Sequence, residues 1–334
     1  MTTEVESRSD ADPSPDCASR NRGREQVTPR QGFDPWSDQT DMMQAPDEPR
    51  LRPTGTITGQ GSATTSIDRI QSKLRLHFEA AFGDRESLRL RAMLDAAEQA
   101  ITVLARTDAP YHNCEHTLLV CLVGQQILRG KQALGDPVSA QEWLHYIVAL
   151  LFHDIGYVKD LLPGDIEGSL VSDGLGGWRQ LPSGATDAFL TPIHVDRGVA
   201  HVRLLFAHNP WIEAEILATY IESTRFPVPE EVRSQPRSRF QWQDLVRSAD
   251  LIGQLADPAY LQKLPALYEE FVDCGRAQAD GLTSYRDLVA RFPRFYRLVV
   301  EPLVGVGFEA LNAHAEGRRW GASLHATIAQ CESG

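Results

Sequence analysis

What this 334-residue chain has little of already removes several classes of protein. Its five cysteines, Cys17, Cys114, Cys121, Cys274 and Cys331, are odd in number and form no C-x-x-C pair. That favours a reducing compartment over a disulfide framework, with the thiols acting as small hydrophobes. Long apolar runs are missing too: one of the longest, Tyr146 to Phe152, falls far short of a bilayer span. The N-terminus is acidic and lacks an apolar h-region, so no secretory signal is read there. Positive charge is also short, with 33 Lys and Arg against 45 Asp and Glu and a net charge of -12. Nucleic-acid binding needs clustered Lys and Arg that this chain does not display. The expectation is a soluble, cytoplasmic protein with neither membrane nor nucleic-acid partner, and homo-oligomerisation is left open.

What is present is helical. Residues 1–65 are rich in Ser, Asp, Pro, Arg and Gly without apolar periodicity and are expected to be disordered, because they cannot bury enough surface to offset their ordering entropy. From residue 66 to about 330 the pattern predicts one all-α domain. Ile67, Ile70, Leu74, Phe78 and Phe82 make one amphipathic stripe, and Met93, Leu94, Ala97, Ile101 and Leu104 a second. A third helix is expected from His112 to Leu128, stopping at Gly130. Gln141 to Phe152 is apolar nearly all round and reads as the central buried helix, broken by Gly156. Residues 157–192 gather Pro, Gly and Asp. They predict a long loop or small hairpin over the site, with strands near Val171 and Trp178–Leu181. Further helices are expected over 194–208, 210–224 (capped by Asn209 and Pro210), 239–256, onward from the Asp257-Pro258 cap, and between 283 and 327.

Four side chains spread along this helical pattern carry the chemistry. His116, His153, Asp154 and Asp250 offer two imidazoles and two carboxylates, a mixed N/O set suited to Mn, Mg, Fe or Zn. A carboxylate at the end of a buried helix is costly unless paired or metal-bound, and coordination is the simplest compensation for Asp154. His112 sits one helical turn before His116 and has the ordinary pKa to protonate a leaving alkoxide. His194, at the start of a later helix, is a candidate for a second metal or for substrate. Lys159 and Arg225 are candidates for holding a phosphate. His201 and His208 are expected on a solvated face, and His77 and His145 in the core or at the surface.

The order Tyr111-His112-Asn113-Cys114-Glu115-His116, then His153-Asp154, then Ala249-Asp250-Leu251, resembles the HD superfamily of metal-dependent phosphohydrolases. Within it, the first segment is similar to the YHNxxH motif of the class I cyclic-nucleotide phosphodiesterase catalytic domain. Ile216-Leu217-Ala218-Thr219 is similar to a later segment of that family, and the likeness spans roughly residues 70–275. It implies an HD-domain helical bundle that binds one or two divalent metal ions, with Asp154 bridging them. Its substrate would be a small-molecule phosphoester, a nucleotide or cyclic nucleotide among the candidates, and His112 the general acid. Three departures accompany it. Tyr157 stands where that family has a further histidine, Tyr220 where it has Asp, and no counterpart is found for the late glutamine and phenylalanine that clamp a cyclic-nucleotide base. The same residues admit two rival readings: a di-iron oxygenase of the HD type, for which His194 supplies an extra ligand, and a non-catalytic, nucleotide-responsive metal-binding module.

Overall fold

The structure, a computed structural model, describes residues 59–173, 175–233 and 239–333. All of these lie within the second of the two units into which the chain divides, Pro35–Gly334; the first, Met1–Asp34, is outside the described residues. The fold is all-α. Helix α1 (Gly59–Phe82) leads through a short 3-10 turn into α2 (Ser87–Leu104). Both expected stripes face inward: Ile70, Leu74 and Phe78 are buried on the first helix, and Met93, Leu94, Ala97, Ile101 and Leu104 on the second. The start at Gly59 corrects the boundary expected at 65/66. The stretch Gly59–Thr65 has no apolar period to mark it as helix, and the rest of the segment expected to be disordered lies outside the described residues.

Helices α3 (Cys114–Ala133) and α4 (Ala140–Phe152) form the centre. Helix α3 starts two residues later than expected because Asn113 is its N-cap: the side-chain oxygen accepts the backbone N–H groups of Glu115 and His116. His112 therefore lies outside the helix rather than on its first turn. Nor does Gly130 end it. A Cβ there would lie 1.8 Å from the Ala310 carbonyl oxygen, so this glycine exists for close helix contact and α3 runs on to Ala133. Helix α4 opens on a capping box formed by Ser139 and Glu142 and is buried from Trp143 to Phe152, as its all-round apolar sequence requires.

After a 3-10 turn at Ile155–Tyr157, the glycine-rich segment forms a hairpin of β1 (Ser169–Val171) and β2 (Trp178–Gln180), antiparallel with Leu170 opposite Arg179. Although a cover over the site is expected, the hairpin contributes none of its described residues to the pocket at the candidate metal centre. It is fastened by Arg197, fully buried on α5 (His194–Leu205), which donates to the carbonyls of Gly156, Val158 and Val171 and pairs with Asp165 at 2.9 Å. Helix α6 (Ala214–Glu222) begins later than expected, since Asn209 caps only a turn through Trp211 and Ile212. A one-turn α7 (Glu230–Arg233) precedes α8 (Trp242–Leu255), which packs along α3. Next come α9 (Tyr260–Asp273), the short α10 (Arg276–Ala279) and α11 (Tyr285–Phe295). A π turn at Tyr296–Val300 joins α11 to α12 (Glu301–Asn312), and α13 (Ala315–Ser333) closes the described chain. No described helix is long and apolar enough to cross a membrane.

Candidate metal centre

Three elements deliver four donor atoms to one point. Helix α3 brings His116 in its first turn, the end of α4 brings His153 and Asp154, and α8 brings Asp250. The His116 and His153 Nε2 atoms are 3.3 Å apart, and each is 3.5 Å from the Asp250 Oδ1. The Asp154 Oδ2 lies 3.3 Å from His116 Nε2 and 3.1 Å from His153 Nε2. A divalent ion about 2.1 Å from each donor sets adjacent donors about 3.0–3.4 Å apart, between right-angle and tetrahedral arrangements. The observed separations fit that requirement, and the cluster of His116, His153 and Asp250 can hold a metal ion.

The wiring around these atoms supports the same use. His153 directs Nδ1 at the Leu150 carbonyl, 2.8 Å away, and since a carbonyl only accepts, Nδ1 carries the proton. In the neutral ring Nε2 is then a lone pair facing two carboxylates. The Asp154 Oδ2 is buried and has no hydrogen-bond donor, a costly state unless a cation is present. Without a cation the cluster draws protons instead. Burial by itself would lower the His153 pKa, but Asp154 and Asp250 outweigh it and hold it well above the usual histidine range. Burial would raise both aspartates, yet His153 and His116 keep Asp154 and Asp250 well below theirs.

His194 joins from the opposite side of Asp154, its Nε2 3.7 Å from Oδ1. It repeats the His153 arrangement, with Nδ1 at 2.7 Å from the Thr191 carbonyl three residues earlier. Burial lowers its pKa and keeps the ring neutral despite Asp154. The two oxygens of Asp154 thus face different imidazoles. Gly156 makes the approach possible: a Cβ there would lie 1.8 Å from the His194 carbonyl oxygen, so α5 can begin against the turn that follows Asp154. Tyr157 stacks between two histidine rings, His112 at a centroid distance of 4.7 Å and His194 at 4.4 Å.

His112 has a partner that the sequence reading missed. Its Nδ1 pairs with Oε2 of Glu270, while Oε1 accepts the backbone N–H groups of Tyr111 at 2.6 Å and His112 at 3.0 Å. Burial would lower the His112 pKa, but the charge and hydrogen bond of Glu270 raise it to about 9. Burial would raise Glu270, and His112 holds it below the ordinary glutamate value. One signal was visible: Glu270 continues the 3-residue spacing of Leu264 and Leu267, so it is a carboxylate on an inward stripe.

His112, Asp154, His194 and Asp250 open into one pocket, whose other wall is largely apolar. Lys159 and Arg225, expected near phosphate, do not line it. Lys159 is held by Asp187 at 3.1 Å and Asp108 at 3.3 Å, and Arg225 by Glu222 and Asp196, both at 2.6 Å. Of the 157–192 segment only Tyr157 and Thr191 reach the pocket. His201 is half-buried and stacked on Phe152 rather than solvated, whereas His208 is exposed. His145 is buried and His77 half-buried.

The Npun_R2479-like family model matches residues 62–334, so the chain belongs to that family. No curated protein matches it.

Proposed function

We propose that this member of the Npun_R2479-like family is a metal-dependent phosphohydrolase acting on a small phosphoester. The observation that carries the reading is a convergence. Four potential ligand atoms from His116, His153, Asp154 and Asp250 stand 3.1–3.5 Å apart across the measured pairs, and the His112 imidazole, paired with Glu270, opens into the same pocket. A divalent ion bound there supplies Lewis acidity and lowers the pKa of a coordinated water toward neutrality.

The chain's own residues divide the remaining work. His116, His153, Asp154 and Asp250 bind the ion, and the Leu150 carbonyl orients the His153 ring toward it. His112 carries a proton at neutral pH and delivers it to the departing alkoxide oxygen, an effect typically worth about 10²–10⁴ in rate. Glu270 keeps that proton on His112 and, through the two backbone N–H groups it accepts, fixes the segment that presents the ring. Tyr157 confines the ring plane by stacking.

Elemental analysis of purified protein, followed by a phosphoester panel with Mn, Mg and Zn, tests the proposal. Stoichiometric metal with turnover lost in Asp154→Ala is the expected result. Metal-dependent turnover of no phosphoester in the panel would overturn it. A second reading is favoured by one observation, the neutral His194 facing the outer oxygen of Asp154. Two ions sharing that carboxylate would also suit a di-iron oxygenase, and bound iron with oxygen consumption would distinguish it.

A further inference from the structure

The pocket extends well beyond the metal centre, and its far wall has a different chemistry. The whole pocket, its metal-centre end included, has a volume of about 150 Å³, the size of an apolar cavity that holds a benzene ring. Leu255, Leu267, Leu288, Phe292 and Phe295 line it. Phe226 and Phe295, both half-buried, form an edge-to-face pair in this wall with centroids 6.0 Å apart.

Polar groups in the wall are few and largely engaged. The Thr191 hydroxyl donates to the Ala188 carbonyl at 2.7 Å, and the Thr224 hydroxyl to the Ile221 carbonyl at 2.8 Å. Arg276 is the one Lys or Arg among the described lining residues; it bonds Asp280 at 2.8 Å and lies over the Phe271 ring. Gln254 is the one side-chain amide, and Tyr157 and Tyr260 add two phenol groups. Beyond the metal centre a polyphosphate would meet, among the described lining residues, no Lys or Arg but Arg276, already engaged by Asp280, and a nucleoside would bury its hydrogen-bonding edges against a wall that is mostly leucine and phenylalanine.

We propose that this pocket receives an apolar, ring-sized group of the substrate, whose phosphoester end sits at the cluster of His116, His153, Asp154 and Asp250. The substrate class is then a monoester or diester of an apolar or aromatic alcohol. This rests on the phosphohydrolase reading for the phosphoester end alone, since the apolar end is argued from the wall.

Calorimetric titration of the full-length, Mn-loaded protein tests it with phenylphosphonate, methylphosphonate, AMP and p-cresol. Phenylphosphonate is expected to bind at least tenfold more tightly than methylphosphonate or AMP, and p-cresol to compete with it. Phe295→Ser is expected to reduce the phenyl preference at least tenfold without loss of bound metal, and Phe226→Ser serves the same purpose should the first variant fold poorly. Equal affinity for the two phosphonates, or tighter binding of AMP, would overturn the proposal. If p-cresol binds in a Phe295-dependent way while neither phosphonate does, the apolar subsite stands and the phosphoester reading falls.

Discussion

His112 and Glu270 turn an ordinary imidazole into one that is charged at neutral pH. In metal-free protein the His112 ring is expected to titrate by NMR near pH 9, and Glu270→Gln should bring that midpoint down. A histidine raised from 6.5 to about 9 contributes stability that is complete below pH 6.5 and is lost as pH rises through 9. Glu270→Gln should flatten this alkaline loss in denaturant titrations. Ligand and acid should also part company kinetically. Asp154→Ala is expected to lose both metal and turnover, whereas His112→Ala keeps the metal and loses about 10²–10⁴ in kcat on poor leaving groups, far less on a nitrophenyl ester. An empty metal centre in His112→Ala would make it a ligand instead. The residues that meet at the candidate metal centre were legible in the sequence because each stands beside a distinctive neighbour, as in Tyr111-His112-Asn113, His153-Asp154 and Ala249-Asp250-Leu251. Glu270 was not, because its contact with Tyr111 and His112 spans 159 and 158 positions and no local pattern encodes such a pairing.

Among the elements, the segment between α4 and α5 behaves least as its composition suggests. Its glycines and prolines read as a mobile cover, yet Arg197 and Asp165, 0% and 1% exposed, bind it to the body of the domain. Removing one partner strands the other as a buried charge, so Arg197→Met should destabilise the protein by about 3–5 kcal/mol, read from the denaturant midpoint. Any metal content should persist, since the candidate ligands come from α3, α4 and α8. An unchanged midpoint would mean that the pair is not shielded from water. The hairpin strands themselves were legible from Val171 and Trp178. Their fastening was not, because a lone arginine among Val195, Gly198 and Val202 carries no sign of which loop it will meet. Helix limits failed for related reasons: Asn113 marks the α3 start once its side-chain contacts are seen, and Gly130 resembles a stop until Ala310 is found against it.

For the whole molecule, the all-α architecture was legible from apolar periodicity, which is a local property and survives in the sequence. The pocket was not, because its wall is assembled from α8, α9, α11 and the turn before α5, elements distant along the chain. Because the candidate ligands come from α3, α4 and α8, an ion bound between them should stabilise the fold by mass action, about 2.7 kcal/mol at a hundredfold excess over Kd. Chelation should therefore lower the melting temperature, and Asp250→Ala should remove that dependence. A chain beginning at Gly59 is expected to melt and bind metal like the full-length protein, because the family match begins at residue 62. The π turn at Tyr296–Val300 adds a last consequence. Upstream of it Phe292 and Phe295 face the pocket, while downstream Gly307 abuts Ser248 on α8. Each residue of an α-helix rotates the next one by about 100° around the axis. A π turn absorbs one residue beyond the α count, so deleting one residue within 296–300 is expected to turn this stretch into regular α-helix while Phe292 and Phe295 keep their register against α8.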